Sequence, residues 1–240
     1  MISRPETGTR PSPSPAPIFV PPKSEESPPI EACINGSAKL SNMNLRVTDL
    51  TISPNYGNDL KELDLSRFKW LRSIDFGHDC FGSVKSFNIV GLDYLKTIII
   101  GDDCFESVMT FNMDRLNQLK TIIIGDDCFK SVMTFKMDRL NQLKTIKIGN
   151  NSCTQMVSYM WDWDKANNKS KSFYILNCES LESIQIGEYS FSDFAGECIL
   201  QNLPQLQSIR IGTIGRWSGN FCCNSLVIRG IELILNIEYL

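Results

Sequence analysis

Three cysteines, Cys80, Cys104 and Cys128, recur 24 residues apart, each directly after aspartate: Asp79, then Asp102 and Asp103, then Asp126 and Asp127. Thiols and carboxylates at a fixed spacing are the raw material of a metal or redox site. The details point elsewhere. Structural zinc sites are commonly built on Cys-x-x-Cys knuckles, and the chain has none. Equivalent positions in stacked parallel strands lie about 4.8 Å apart, farther than the ~3.8 Å between the Cβ atoms of a disulfide. The three thiols are therefore expected to be small buried side chains. Cys153, Cys178 and Cys198 fall where other repeats hold Phe129, Leu140 and Phe135, which fits the same expectation. Cys222 and Cys223 have no place in the frame.

The aspartate row could ligate calcium through carboxylate oxygens. The calcium-binding β-roll needs a nine-residue glycine-rich period, which is absent, so these residues are expected to be solvated turn acids. His78 is the sole histidine, and Cys80 two positions on has no third group to orient a base. Glycines recur every 24 residues instead of clustering as a phosphate-binding loop. No catalytic, cofactor-binding or metal-ligating residue is assigned, and the chain is not expected to be an enzyme.

The elements that carry these residues are set by a repeat. Residues 95–118 and 119–142 are copies differing only at Glu106 against Lys130 and Asn112 against Lys136, as unit duplication would leave them. The same frame starts at Val47, Leu71, Leu95, Leu119, Leu143, Leu181, Leu206 and Ile234, giving seven complete units and the start of an eighth. Each opens with apolar residues at the first, fourth and sixth positions, as in Leu143, Ile146 and Ile148. A second alternating pair follows, as in Phe87/Ile89, Phe111/Met113 and Phe173/Ile175. Alternation with period two is a strand with one buried face. A strand too short to form a sheet alone must stack on its copies, coil upon coil. The expected fold is a repeat solenoid, α/β or mainly β, with a parallel sheet of about eight short strands and a partly stranded opposite side. In the turn IGDDCF, glycine is expected to supply positive φ.

The spacing L-x-x-I-x-I-x-x-D-x-F-x-x-V-x-x-x-x-M-x-x-L of residues 95–116 resembles the leucine-rich repeat, and the uniform I-x-I-G and C-F elements look most like protist and bacterial BspA-type members. The resemblance covers roughly residues 47–240. It implies a protein-binding function carried by the strand face. Where the family usually has asparagine, this chain has Asp79, Asp103, Asp127, Asn151 and Tyr189. An ionised Asp only accepts, so the turn must be held differently here.

The second, third and fifth residues of each opening strand point outward. In the middle coils this gives a cation column of Arg72, Lys96, Lys120 and Lys144. Beside it run a hydroxyl column with Thr97, Thr121 and Thr145, and a column with Ile99, Ile123 and Lys147. This face is the expected site for a protein ligand, against the plain alternative of a solvated sheet. One coil carries 14 extra residues, with an insertion at about 157–170 holding Trp161 and Trp163. These rings either anchor a partner or fold back over the solenoid edge.

The remaining features bound the function classes. Residues 1–30 are Pro/Ser-rich and read as a disordered tail, 31–46 as a capping segment, and 47–240 as the solenoid. Net charge is −3, from 24 basic and 27 acidic residues, which offers no electrostatic reason for nucleic acid. No run approaches the ~18 apolar residues of a membrane span. With no secretory leader and an odd nine cysteines, a cytoplasmic setting is expected. The last residues stop inside a strand, which suggests truncation and an edge open to self-association. The rival functions are an extracellular or cell-surface adhesin, or the repeat part of a larger enzyme-containing protein.

Overall fold

The computed structural model describes residues 30–36, 38–156, 167–213, 218–222, 224–230 and 236–238. Among the described residues, sixteen strands and one short 3-10 turn make up the regular structure. Along one side run β1 (Glu31–Ile34), β2 (Asp49–Ile52), β4 (Ser73–Phe76), β6 (Thr97–Ile100), β8 (Thr121–Ile124), β10 (Thr145–Ile148), β12 (Ser183–Ile186), β14 (Ser208–Ile211) and β16 (Asn236–Glu238). They form one parallel sheet in that order. On the opposite side β7 (Thr110–Asp114), β9 (Thr134–Asp138), β11 (Ser172–Leu176), β13 (Cys198–Gln201) and β15 (Val227–Arg229) form a second parallel sheet. A separate pair, β3 (Glu62–Asp64) and β5 (Ser86–Asn88), lies on that side too. The molecule is a parallel β-solenoid.

Register follows the frame residue for residue. Ile74 pairs with Ile98, Ile98 with Ile122, Ile122 with Ile146, and Ile146 with Ile184. All five are buried, and Ile98, Ile122 and Ile146 are fully so. Burying each such side chain contributes about 1.5–3 kcal/mol. A repeated alternating strand thus has only one register that hides its apolar set. Between the two sheets the interior is aromatic: Phe81, Phe105 and Phe129 stack at 5.4 and 5.3 Å. Phe111, Phe135 and Phe173 stack at 4.6 and 5.5 Å.

Two expectations are corrected. The sheet begins before Val47: β1, in the segment read as a cap, pairs in parallel with β2. It escaped the frame because it lies 18 residues before its partner and offers only Ala32 and Ile34 as an inward pair.

Five turn glycines, Gly77, Gly101, Gly125, Gly149 and Gly187, do not supply positive φ, whereas Gly212 does. Positive φ falls two and four residues later, at Asp79 and Phe81, Asp103 and Phe105, and Asp127 and Phe129. Glycine is required instead by close approach. A Cβ on Gly149 would lie 2.5 Å from the carbonyl carbon of Gly125, and one on Gly187 would lie 2.5 Å from that of Gly149. The backbones of successive coils touch there, and no side chain fits between them.

Candidate functional site

The aspartates are structural before they are anything else. Each backbone N–H at the left-handed position donates to the next coil, Asp79 to Asp102 O, Asp103 to Asp126 O and Asp127 to Asn150 O, all at 2.9 Å. One residue earlier a side-chain ladder runs in parallel. His78 Nδ1 accepts the Asp102 N–H at 3.0 Å, Asp102 Oδ1 that of Asp126 at 2.8 Å, Asp126 Oδ1 that of Asn150 at 2.7 Å, and Asn150 Oδ1 that of Glu188 at 2.8 Å. Only an acceptor is needed, so ionised Asp serves as well as Asn. The expectation of purely solvated turn acids is corrected accordingly. Among the described residues no group of three His, Cys, Asp or Glu side chains converges as a metal site would require.

The cysteines form a second ladder. Cys104 Sγ donates to Gly77 O at 3.0 Å and accepts the Cys80 N–H at 3.4 Å. Cys128 Sγ donates to Gly101 O at 3.0 Å. Ser152 and Ser190 continue the column, donating to Gly125 O and Gly149 O at 2.8 and 2.6 Å. These thiols are hydrogen-bonded, not merely apolar filler. Cys33, Cys80, Cys104, Cys128, Cys153, Cys178 and Cys198 form no disulfide. Hydrogen bonding to Cys128, followed by burial, pushes the Cys104 thiol up to about 12, and burial pushes Cys178 and Cys198 up to about 11. Such thiols are poor nucleophiles near neutral pH.

Substitution in this ladder has an expected outcome. Cys104→Ser should leave urea stability nearly unchanged, because serine fills the same column at Ser152 and Ser190. Cys104→Ala should lose about 1–3 kcal/mol by orphaning the Cys80 N–H and Gly77 carbonyl. Equal losses for both variants would remove the ladder's role. In native alkylation, exposed Cys33 should react while Cys104 stays protected.

The two differences between the near-copies have a physical reading. Stacking identical coils sets acid above acid, about 4.8 Å apart. Lys130 Nζ lies 3.5 Å from Asp103 and 3.9 Å from Asp127. Lys136 Nζ lies 3.2 Å from Asp138, whose other neighbour Arg139 also reaches Asp114 at 2.7 Å. Both changes put a lysine against an acid column that duplication created. Burial pushes the Asp138 carboxyl up. Hydrogen bonds from Asn177 and Lys136, with the Lys136 and Arg139 charges, outweigh that and hold it below the ordinary value.

The strand face is assembled as the frame requires. Thr97, Thr121 and Thr145 stand side by side across β6, β8 and β10, as do Ile99, Ile123 and Lys147. Asp75 precedes Ile99 in that column. Ile99 and Ile123 are half-buried, while Lys120, Lys144 and Lys147 are exposed. Lys144 is already engaged, its Nζ 2.8 Å from Glu182 Oε1. Arg72, Lys96 and Lys120 make no ion pair among the described residues. Next to this column Trp70 stacks on Tyr94 at 5.6 Å, an aromatic pair that the frame did not single out. Its signal was position alone: both rings directly precede a frame leucine, Leu71 or Leu95. Trp161 and Trp163 lie outside the described residues.

A second feature was missed. Lys171 and Asp193 are both buried, with Nζ 2.8 Å from Oδ2 and 5.3 Å from the Phe194 ring centre. The Gln155 N–H also reaches Oδ2, at 3.2 Å, while Oδ1 has no partner. In the frame Lys171 replaces Met109 and Met133, and Asp193 replaces Ser107 and Ser131. That paired departure from the repeat was the available signal.

No described helix is long and apolar enough to cross a membrane. A shallow hollow of about 540 Å³ near the first coil is lined by Lys39, Leu40, Tyr56, Asp59 and Leu60. The Tyr56 hydroxyl there is committed to the Ala38 carbonyl at 2.7 Å. No family model, curated protein or solved structure matches this chain.

Proposed function

We propose that the chain is a non-catalytic protein-binding module whose ligand lies on the strand face of a solenoid of the leucine-rich-repeat type. The observation that carries this reading is the pairing of three uncommitted cations, Arg72, Lys96 and Lys120, with the adjacent half-exposed Ile99 and Ile123 on a rigid sheet. A rigid apolar patch rimmed by charge fits protein recognition, with the charges steering encounter. The Cys104 and Cys128 thiols and one oxygen each of Asp102 and Asp126 are engaged in inter-coil hydrogen bonds, which supports the absence of catalysis from the proposal. The reduced, hydrogen-bonded thiol ladder suits a reducing compartment, and the proposed setting is cytoplasmic.

The test is a triple charge reversal, Arg72→Glu, Lys96→Glu and Lys120→Glu. Lys144 is left alone because Glu182 already holds it. Binding to a captured ligand should weaken at least about tenfold, and more at low salt than high, with unfolding unchanged. Unaltered binding by the folded variant would reject the strand face as the site.

A further inference from the structure

Two adjacent coils carry the same three-residue spacing across the sheet: Lys96, Ile99, Asp102 and Lys120, Ile123, Asp126. In each, the isoleucine sits midway between a cation at the strand start and an acid just past its end. The isoleucines are in register, and the Lys120 N–H donates to the Lys96 carbonyl. The half-exposed Asp102 and Asp126 keep their charge while accepting the next coil's N–H, with His78 3.3 Å from Asp102 and Asn150 Nδ2 3.3 Å from Asp126. The pattern is therefore a strip: positive edge, apolar centre, negative edge. Such a strip is complementary to itself when turned end for end.

We propose that the ligand of the strand face is a second copy of this chain, docked face to face about a two-fold axis along the Ile99–Ile123 column. This rests on the strand-face reading above and supplies its occupant. Rotation about that axis sets the strands antiparallel and each coil over its own counterpart. Lys96 of one copy then faces Asp102 of the other and Lys120 faces Asp126, four such encounters by symmetry, with isoleucine on isoleucine at the centre. The other face-to-face two-fold, along the strands, brings lysine onto lysine and aspartate onto aspartate, and charge excludes it.

The neighbouring coils limit the contact. In the central column Asp75 precedes Ile99 and Lys147 follows Ile123, and on this axis each meets itself. The matched strip therefore spans few coils. With strands ~4.8 Å apart and ~3.3 Å per residue, four coils and six residues cover roughly 400 Å² per copy. That is about half a standard interface, so the dimer is weak and transient.

The test uses the full chain in sedimentation velocity from 10 µM to 1 mM, at 50 and 500 mM salt. The expected result is a dimer at high concentration whose dissociation constant rises at least about tenfold in the higher salt. Lys96→Glu with Lys120→Glu should abolish it by setting Glu against Asp. Asp102→Asn with Asp126→Asn should weaken it about tenfold; Asn already fills this ladder position at Asn150, so the fold is kept. An equimolar mixture of these two variants should form heterodimers more readily than either variant self-associates, because Asp102 and Asp126 of the first meet Lys96 and Lys120 of the second. Lys147→Thr should tighten the wild-type dimer by removing the central self-contact.

A wild-type chain that is monomeric at 1 mM and low salt overturns the second-copy assignment. So does a dimer indifferent to all five substitutions. In either case the strand-face reading is judged separately, by whether Arg72→Glu, Lys96→Glu and Lys120→Glu remove a foreign ligand.

Discussion

Lys171→Met is expected to lower the stability of this chain by about 3–5 kcal/mol, and adding Asp193→Ser to return most of that loss. The single change deletes one member of a buried pair and leaves the Asp193 carboxylate without a countercharge. Its Oδ1 already lacks a hydrogen bond, so the only compensation left would be the Gln155 N–H on Oδ2. The paired change removes both charges and installs the residues that the frame uses elsewhere, methionine as at Met109 and Met133 and serine as at Ser107 and Ser131. Replacing a buried ion pair by residues of suitable volume is often neutral or stabilising. Urea unfolding of wild type, the two single variants and the double variant closes the cycle. An interaction energy near zero would show that Lys171 and Asp193 contribute independently.

Phe105→Ala should cost about 3–5 kcal/mol and break the cooperativity of unfolding. Phe105 is fully buried and its ring meets four others: Phe81 and Phe129 stacked above and below, Phe76 edge-on and Phe87 alongside. Removing it hollows the interfaces on both sides of one coil. A solenoid's stability is the sum of its coils and the contacts between neighbours, so a weakened central interface lets the two halves unfold apart. Thermal unfolding followed by circular dichroism should show a lower midpoint and a broadened or two-step transition. Cys153 occupies the equivalent position one coil after Phe129, yet Phe105→Cys should still cost several kcal/mol, because the surrounding rings are placed for a phenyl group and collapse only in part. A single sharp transition near the wild-type midpoint would contradict the neighbour-contact account.

How much of this was legible depended on distance along the chain. The first sheet could be read because alternation is local: Leu143, Ile146 and Ile148 announce a strand without reference to anything else. β1 was missed because EACI offers only Ala32 and Ile34 inward and lies too far out of period to join the frame. Except at Gly212, the turn glycines were singled out for the wrong reason. Glycine at Gly149 answers to the backbone of Gly125, a contact between coils that no local φ preference encodes. The Asp102 and Asp126 carboxylates were expected to face water because aspartate in a turn usually does; what holds them is the N–H of the following coil. On the strand face the columns were foreseen, whereas the loss of Lys144 to Glu182 rests on two side chains 38 residues apart.

By itself the sequence determined which residues go inward and how the coils stack, since a repeated period-two pattern leaves a single register in which every apolar side chain is covered. Only the tertiary structure decided what each polar group does. Hydrogen bonds and ion pairs act over about 3 Å, and the side-chain ladders join groups 24 to 41 residues apart in the chain. Lys171 shows the difference most plainly: it stands at the frame position of the exposed Lys85, and only the coil packed against it turns it into half of a buried pair.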